Sequence, residues 1–229
     1  HKTKIMKLTA DLIANSPATL NAIKEYELDL SGNHISHLEN LGATRNRFDA
    51  LNLCNNTVRV LGNFPELPRL QSLYAADNKV SAIDRDLARS LPALHTLVLS
   101  DNEIAELVDL EPLRELAELR MLSLANNPVM ARPHARLWCV WRMPTLRILD
   151  FERVSMAERA EARRLFGSPE DMSSLAKTIL DVESTANTFV PGEGLDEPEV
   201  DLDKQQSIAE LKARIRQEMA QVEAMEQFL

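Results

Sequence analysis

The chain has 229 residues, of which 45% are hydrophobic and only 4% aromatic, and its formal net charge at pH 7 is −9. This length accommodates one sizeable hydrophobic core with extensions. The negative charge argues against a protein whose main role is to bind nucleic-acid phosphates over most of its own surface. No apolar run approaches the length of a membrane-spanning helix, so an integral membrane protein is not expected.

The first predicted element is an N-terminal helix over residues 8 to 25. Thr9 is a suitable N-cap residue, Asp11 follows in the first turn, and Leu12 and Ile13 supply apolar side chains. A solenoid of repeats needs a cap at each end, because a terminal repeat has no neighbour to cover its apolar side. We therefore predict that this helix covers the first repeat.

A pattern of leucines and one asparagine then recurs five times. The copies read LDLSGNHI, LNLCNNTV, LYAADNKV, LVLSDNEI and LSLANNPV, with asparagines at positions 33, 56, 78, 102 and 127. Their separations of 22 to 25 residues match the period of a leucine-rich repeat. A truncated copy, LRILDF, occupies residues 146 to 151 and lacks the asparagine, as the last turn of a solenoid would.

This repeat predicts both the fold class and the place of the asparagines. Each copy contributes one short strand, and stacked copies bury leucines that no single repeat could cover. The asparagine amide is expected to bond backbone groups of the turn that would otherwise be buried without partners. The predicted fold is therefore an α/β leucine-rich repeat solenoid, with a curved parallel sheet of about five full repeats plus a truncated one, N- and C-terminal caps and a helical tail.

Two cap helices are predicted after the repeats. The stretch HARLWCVWRMP has apolar residues at helical spacing and ends at Pro144. The stretch SMAERAEARRLFG begins a second helix at Ser155, where Glu158 completes a capping box, and Gly167 ends it. The leucine-rich repeat domain with its caps is accordingly assigned to residues 6–167.

The remaining residues form two predicted segments. Between Glu170 and Asp203 there are ten acidic residues against one lysine, so residues 168–203 are predicted to be an acidic flexible linker. Residues 204–229 place apolar side chains on one helical face and are predicted to form a C-terminal amphipathic helix.

The sequence offers little support for catalysis. It has no glycine-rich phosphate loop, no nucleophile motif and no CxxC pair, so we predict neither an enzyme nor a cofactor. His34 and His37 have metal-ligand spacing, but no further histidine or cysteine lies nearby in sequence, and we interpret them as surface turn residues. Cys54 and Cys139 are far apart in a linear stack, which predicts unpaired thiols in a reducing, intracellular compartment.

The best candidate for a binding surface is the concave face of the sheet. Side chains alternate along a strand, so the residues between the buried leucines are expected to point into the concavity. Tyr74, Val98 and Met121 predict an apolar centre beside small residues, with acidic groups at both ends; such a trough would admit a helix of a partner with basic residues at its rim. A plainer interpretation is that small residues merely suit a crowded sheet. The predicted partner-binding residues are Asp29, Asn52, Cys54, Tyr74, Ala76, Val98, Ser100, Met121, Ser123 and Asp150.

Arginines concentrate beyond the repeats in this otherwise acidic chain. Eight of them lie between positions 132 and 164, against four acidic residues. They either form an ordinary solvated face of the cap or supply a local contact to RNA phosphates. The candidates for an RNA contact are Arg142, Arg147 and Arg153. We expect the segment to lack base-stacking aromatic residues, so that it would supplement another RNA-binding protein.

Four stretches carry a family resemblance beyond the repeat: HLENLGAT, NFPELPRLQSL, LRILDFERVSMAERAEARRLF and TFVPGEGL. Together they resemble the A-prime family of the U2 small nuclear ribonucleoprotein (U2 snRNP), and the resemblance covers roughly residues 6 to 195. It implies a nuclear scaffold of pre-mRNA splicing whose concave face holds an RNA-recognition-motif protein of the B-double-prime type. That partner would bind a stem-loop of U2 small nuclear RNA, and neither a membrane nor a small-molecule substrate is expected.

Two other classes of leucine-rich repeat protein stay open on the sequence alone. The short repeats also suit a regulatory or adaptor protein of the phosphatase-regulator or dynein-associated type. A histone-binding type would be acidic at its C-terminal end, but it would need a longer unbroken acidic run than this chain has after Gly167.

Overall fold

The computed structural model describes residues 6 to 182, which form short strands and helices wound into repeats. The strands are β1 (Met6–Lys7), β2 (Ala18–Leu20), β3 (Tyr26–Asp29), β4 (Ile35–His37), β5 (Ala50–Asn52), β6 (Val60–Leu61), β7 (Ser72–Tyr74), β8 (Ala82–Ile83), β9 (Thr96–Val98), β10 (Met121–Ser123), β11 (Ile148–Leu149) and β12 (Glu152–Arg153). The α-helices are α1 (Ala10–Asn15), α2 (Leu87–Ser90), α3 (Ala135–Arg142), α4 (Met156–Phe166) and α5 (Ser174–Leu180). Shorter 3-10 helices span Leu41–Thr44, Leu107–Glu115 and Pro128–Ala131.

Eight strands form one sheet in the order β12-β11-β10-β9-β7-β5-β3-β2. Its six central strands are parallel, and each comes from one copy of the repeat. The leucine that begins each full copy, together with Leu149 of the truncated copy, pairs in register with its counterpart on the next strand, and none of these side chains is more than 2% exposed. They are Leu28, Leu51, Leu73, Leu97, Leu122 and Leu149. The predicted α/β leucine-rich repeat fold and the alignment of its copies are confirmed.

Both ends of the sheet are closed by antiparallel strands. Strand β2 pairs with β3 at one end, and β12 pairs with β11 at the other. Two small parallel pairs lie outside this sheet: β6 pairs with β8 between return segments of the repeats, and the N-terminal β1 pairs with β4 of the first return segment. None of the helices in the described part of the chain is long and apolar enough to cross a membrane.

The repeat asparagines form a ladder inside the stack, as the sequence predicts. Asn102 shows the pattern: its amide nitrogen donates to the carbonyls of Ala75, Leu99 and Ser100 at 2.9, 3.0 and 3.1 Å, and its oxygen accepts from the Val80 backbone N–H at 2.8 Å. Asn56, Asn78 and Asn127 make equivalent bonds and are all buried. One side chain thus joins the turn of its own coil to the neighbouring coil.

The N-terminal helix is shorter than the sequence predicts. Thr9 caps it as expected, since its Oγ1 accepts from the Leu12 backbone N–H at 3.1 Å, but α1 ends at Asn15 and not near residue 25. Pro17 explains the early end, because a residue that precedes proline is pushed out of the helical region. The chain continues as β2, which covers the edge of the first repeat strand in place of a longer helix.

The C-terminal cap follows the predicted boundaries closely. Helix α4 starts after Ser155, whose hydroxyl accepts from the Glu158 N–H at 3.2 Å, while the Glu158 carboxylate accepts from the Ser155 N–H at 2.7 Å. Between α3 and α4, the rings of Trp138, Trp141 and Phe166 pack with centroids 5.2 to 5.3 Å apart. This aromatic cluster closes the C-terminal end of the leucine core.

The predicted linker of residues 168–203 is wrong in its first part. Helix α5 begins after Ser173, whose hydroxyl accepts from the Ala176 N–H at 3.2 Å, and Ala176 is fully buried against the cap. An apolar face of the helix, which the acidic composition of the wider segment obscured, packs on the domain core through Leu175 and Ile179. The rest of the predicted linker and the predicted helix of residues 204–229 lie outside the described residues.

Candidate binding surface on the concave face

The predicted concave face is the side of the sheet opposite the leucine core. In each repeat strand the residues that flank the buried leucine point to this side, because side chains alternate along a strand. Most of the predicted contact residues are half-buried, which is the exposure expected of a sheet face that is not covered by other elements. The half-buried ones are Asp29, Asn52, Cys54, Tyr74, Ala76, Val98, Ser100, Met121 and Asp150.

An apolar centre lies across three adjacent strands. Tyr74 and Val98 are direct neighbours in register on β7 and β9, and Met121 begins the next strand, β10. Burial raises the pKa of the Tyr74 phenol, and the charges of Glu25 and Glu27 raise it further. The phenol therefore stays neutral at physiological pH, and its ring lies beside two apolar side chains.

The N-terminal end of this face is acidic. Glu25 is only 8% exposed, and its carboxylate accepts from the Ser72 hydroxyl at 2.7 Å and from the Asn21 amide at 3.0 Å. The same amide also donates to Glu27 at 3.1 Å, and Asp29 lies next along the strand. Sequence reasoning missed Glu25, because the residue lies just before β3 and its buried carboxylate bonds Ser72, which is 47 residues away in sequence.

The column of small residues forms a floor beside the centre. Burial raises the pKa of the Cys54 thiol, so this cysteine is not an activated nucleophile. One member of the predicted contact set is placed differently: Ser123 is fully buried, and its hydroxyl lies 2.7 Å from that of Ser100 and 3.3 Å from an oxygen of Asp150. Ser123 is therefore part of the internal packing, and its prediction as a partner contact is wrong.

Arg142 is a structural residue and not an RNA contact as predicted. Its side chain is 9% exposed, and its guanidinium makes a two-bonded ion pair with Glu111, including a 2.7 Å bond from Nε. The same group lies over the rings of Trp138 and Trp141, 5.8 and 5.0 Å from their centroids. Glu111 lies 31 residues upstream in a return segment, and nothing in the local sequence indicates this pairing.

The other two predicted arginines remain available. Arg147 and Arg153 are exposed, and within residues 6 to 182 neither side chain has a hydrogen-bond or ion-pair partner. Arg153 pairs directly with Ile148 in the antiparallel ladder, which places it on the concave side at the C-terminal end of the sheet. Arg147 lines a groove of about 330 Å³ with Arg120, Arg159 and Glu118, and Glu118 pairs with Arg120 at 3.0 Å. This end of the surface therefore carries two arginines without partners in the described part of the chain, together with the carboxylates of Asp150 and Glu152.

An exposed aromatic residue also lies at this end. Phe151 is 70% exposed and sits in the turn between β11 and β12. The expectation that the arginine-rich segment lacks an aromatic side chain available for stacking is therefore wrong. The signal was present in the sequence as a phenylalanine between two charged residues, but only the turn shows that its ring is not part of the core.

The two histidines with metal-like spacing do not come together with other ligands. His34 is exposed in a turn, whereas Nδ1 of His37 lies 2.8 Å from the Ser36 hydroxyl. Among the residues that the structure describes, no three His, Cys, Asp or Glu side chains are grouped as a metal site would require.

Comparisons with known proteins add to this geometry. A family described as leucine-rich repeat matches residues 5 to 180. U2 small nuclear ribonucleoprotein A′ of Aspergillus fumigatus is 44% identical, over 86% of this chain and 77% of that protein. The human protein of the same name is 41% identical, over 83% and 73%. Among solved structures, the Drosophila melanogaster SNF/U2A′ complex contains a chain with 38% identity and a TM-score of 0.71, covering 77% of this chain and 98% of that one.

Proposed function

This chain belongs to the U2 small nuclear ribonucleoprotein A′ family of leucine-rich repeat proteins, which is non-enzymatic, and from that membership we propose that it is a nuclear scaffold within the U2 snRNP. Its concave face holds an RNA-recognition-motif protein of the B-double-prime type. The assembled pair then binds a stem-loop of U2 small nuclear RNA during pre-mRNA splicing. The regulatory-subunit and histone-binding alternatives are set aside, because relatives that match over most of their length carry the U2 name.

The dimensions of the apolar centre suit one helix of such a partner. Neighbouring strands lie about 4.8 Å apart, so Tyr74, Val98 and Met121 on three adjacent strands span roughly 10 Å. This is about the diameter of an α-helix with its side chains. The Drosophila U2A′ relative was crystallised in complex with a second protein, SNF, which supports a protein occupant for this surface.

The charges along the face give the partner an orientation. Glu25, Glu27 and Asp29 make the N-terminal end acidic, while Arg147 and Arg153 are free at the C-terminal end. A partner helix whose basic residues face the acidic N-terminal end would bind in a single orientation, since complementary charge fixes the register of an interface more than it adds affinity. The partner's RNA-binding side would then lie near the free arginines.

The arginines act on RNA only within the complex. With a net charge of −9, the isolated chain should bind RNA no more tightly than about 10⁻⁴ to 10⁻⁶ M, the range of non-specific contacts at physiological salt. Once a partner holds the stem-loop, Arg147 and Arg153 meet its phosphates at a high effective concentration. Contacts that are weak alone then add to the affinity of the pair.

A matched pair of valine variants tests the concave face. Val98→Asp places a charge in the apolar centre and should weaken binding of the RNA-recognition-motif protein by about 2 kcal/mol or more, the range of an interface hot spot. Val108→Asp is the control, because Val108 is also half-buried but lies in the Leu107–Glu115 return segment. Isothermal titration calorimetry measures the affinities, and thermal unfolding reports the fold.

The outcome separates an interface role from a core role. We expect Val98→Asp to lose partner affinity while its melting temperature stays within a few degrees of the original, and Val108→Asp to bind normally. If Val98→Asp binds the partner as tightly as the unmodified chain, the concave face is not the docking surface and this function is wrong.

A further inference from the structure

The sheet ends in a tight hairpin that has an unusual residue at its tip. Strands β11 and β12 pair antiparallel, with Leu149 opposite Glu152, so that only Asp150 and Phe151 lie between them. Both tip residues have positive φ, 49° and 65°. This is the pattern of a type I′ turn, which strongly favours asparagine or aspartate followed by glycine.

Aspartate at the first position is explained by its bonds, but phenylalanine at the second is not. Asp150 tolerates a left-handed conformation, and its carboxylate accepts from the Leu124 N–H at 2.6 Å. Phe151 is strained at φ 65°, and burial does not compensate the strain because 70% of its surface is exposed. A glycine would fold this turn better, so the aromatic ring at the tip serves something other than folding.

The charges around the tip indicate what that ring meets. Arg153 follows two residues later on the concave side, and its side chain has no partner within the described part of the chain. Glu152 does not neutralise Arg153, because consecutive strand residues point to opposite faces and its carboxylate lies 3.5 Å from Arg136. An exposed ring two residues from a free guanidinium group suits a ligand that has both aromatic faces and negative charge.

We propose that Phe151 is a stacking platform for an unpaired base of the RNA that the assembled complex binds, with Arg153 contacting a neighbouring phosphate. This inference rests on the proposed function. It goes beyond that function because a contact to phosphates needs only the arginines, whereas an exposed aromatic ring can also stack on a base. Unpaired RNA bases stack on exposed aromatic side chains, and this contact is tolerant of base identity. A protein partner would cover the ring with apolar groups and would leave Arg153 without an anionic ligand.

Glycine at this position gives opposite effects on folding and on binding. Phe151→Gly removes the strain, so the melting temperature of the isolated chain should stay equal or rise by about 2 to 4 °C. In complex with the RNA-recognition-motif partner, the same variant should bind the U2 stem-loop about 10-fold more weakly. Phe151→Trp should retain the affinity, and Met156→Ala is the control, because Met156 is 79% exposed and close in sequence but not aromatic.

Two further measurements identify the contact as stacking. Loop bases of the stem-loop are replaced one at a time by 2-aminopurine, and one of them should lose fluorescence in the original complex but not in the Phe151→Gly complex. The salt dependence of RNA affinity should be unchanged by Phe151→Gly, since no ion is released from the phosphates, and reduced by Arg153→Gln.

Several outcomes would overturn the inference. If the partner complex binds RNA and Phe151→Gly leaves that affinity unchanged, the stacking role is wrong while the proposed function stands. If Phe151→Gly weakens binding of the protein partner without RNA, the ring belongs to the protein interface. A lower melting temperature for Phe151→Gly would show that Phe151 stabilises the turn, so that folding alone explains the residue, and absence of any RNA binding by the complex would remove both proposals.

Discussion

Replacing one asparagine of the ladder tests how the repeats are held together. In Asn102→Ala the Val80 backbone N–H loses its acceptor, which lies at 2.8 Å, and Val80 is fully buried. The carbonyls that Asn102 also contacts are less affected. Leu99 keeps a 2.7 Å bond from Asn127, and Ala75 keeps a 3.3 Å bond from Asn78. One buried donor without a partner costs about 1 to 3 kcal/mol, and this is the expected loss of unfolding free energy.

Asn56→Ala should cost more than either Asn78→Ala or Asn102→Ala. The Asn56 side-chain oxygen accepts two backbone N–H groups, those of Asn33 and Ile35, at 3.1 and 2.9 Å. Its amide also donates to the Leu30 carbonyl at 3.0 Å, and no other asparagine of the ladder reaches that carbonyl in the described structure. The variant therefore leaves more buried groups unpaired, and its loss should be roughly twice that of the others.

Urea unfolding of the isolated chain measures these losses, with the transition midpoint as the readout and the slope as a check on the unfolded state. Asn52→Ala is the matched control, because Asn52 is half-buried on the concave face and makes a single 3.0 Å bond to the Cys54 N–H. The double variant Asn78→Ala, Asn102→Ala should lose more than the two single losses together, because both amides bond the Ala75 carbonyl. Equal losses for Asn52, Asn56 and Asn102 would refute the reasoning.

Two further predictions concern the C-terminal end. In the partner complex, replacing both Arg147 and Arg153 with glutamine should lower RNA affinity and reduce its salt dependence by up to about two phosphate contacts. Arg142→Gln should instead lower the melting temperature. If the double variant shows unchanged salt dependence, the partner alone binds the RNA. The Ser155 N–H and the guanidinium of Arg136 lower the pKa of Glu158 from 4.5 to about 2. Its ionised form therefore stabilises the fold above pH 4.5, and that contribution is lost as pH falls towards 2. Urea midpoints measured across this window should decline less steeply for Glu158→Gln.

The repeat is predictable from sequence because its signals are local and redundant. The leucine that begins each full copy and the asparagine of that copy recur at a fixed offset, so an error in one copy is corrected by the other four. The register that places Tyr74 beside Val98 follows directly. The capping box at Ser155 and Glu158 is equally local, since its two partners are three residues apart. Each of these signals is carried by residues that lie within a few positions of one another in the sequence.

The errors fall where a residue depends on a distant partner or on backbone geometry. Arg142 looks like its neighbouring arginines, and only the fold brings Glu111 and two tryptophan rings to it. Ser123 looks like Ser100 and the other small residues of this face, yet it is fully buried and its hydroxyl lies 3.3 Å from an oxygen of Asp150. The exposure of Phe151 depends on a two-residue turn that a pattern of hydrophobic spacing does not reveal.

One internal contact sets the position of the C-terminal binding groups. Arg136 donates to the Leu149 carbonyl at 3.0 Å and to Glu158 at 2.6 Å, and so ties the end of β11 to the start of α4. The hairpin that carries Arg153 is held between these two points. Because a phosphate or base contact requires placement within about an ångström, rigid support of the hairpin matters as much as the charge of Arg153. In the proposed RNA complex, the partly buried ion pair of Arg136 with Glu158 would therefore act by positioning the exposed groups, although it contacts no ligand itself.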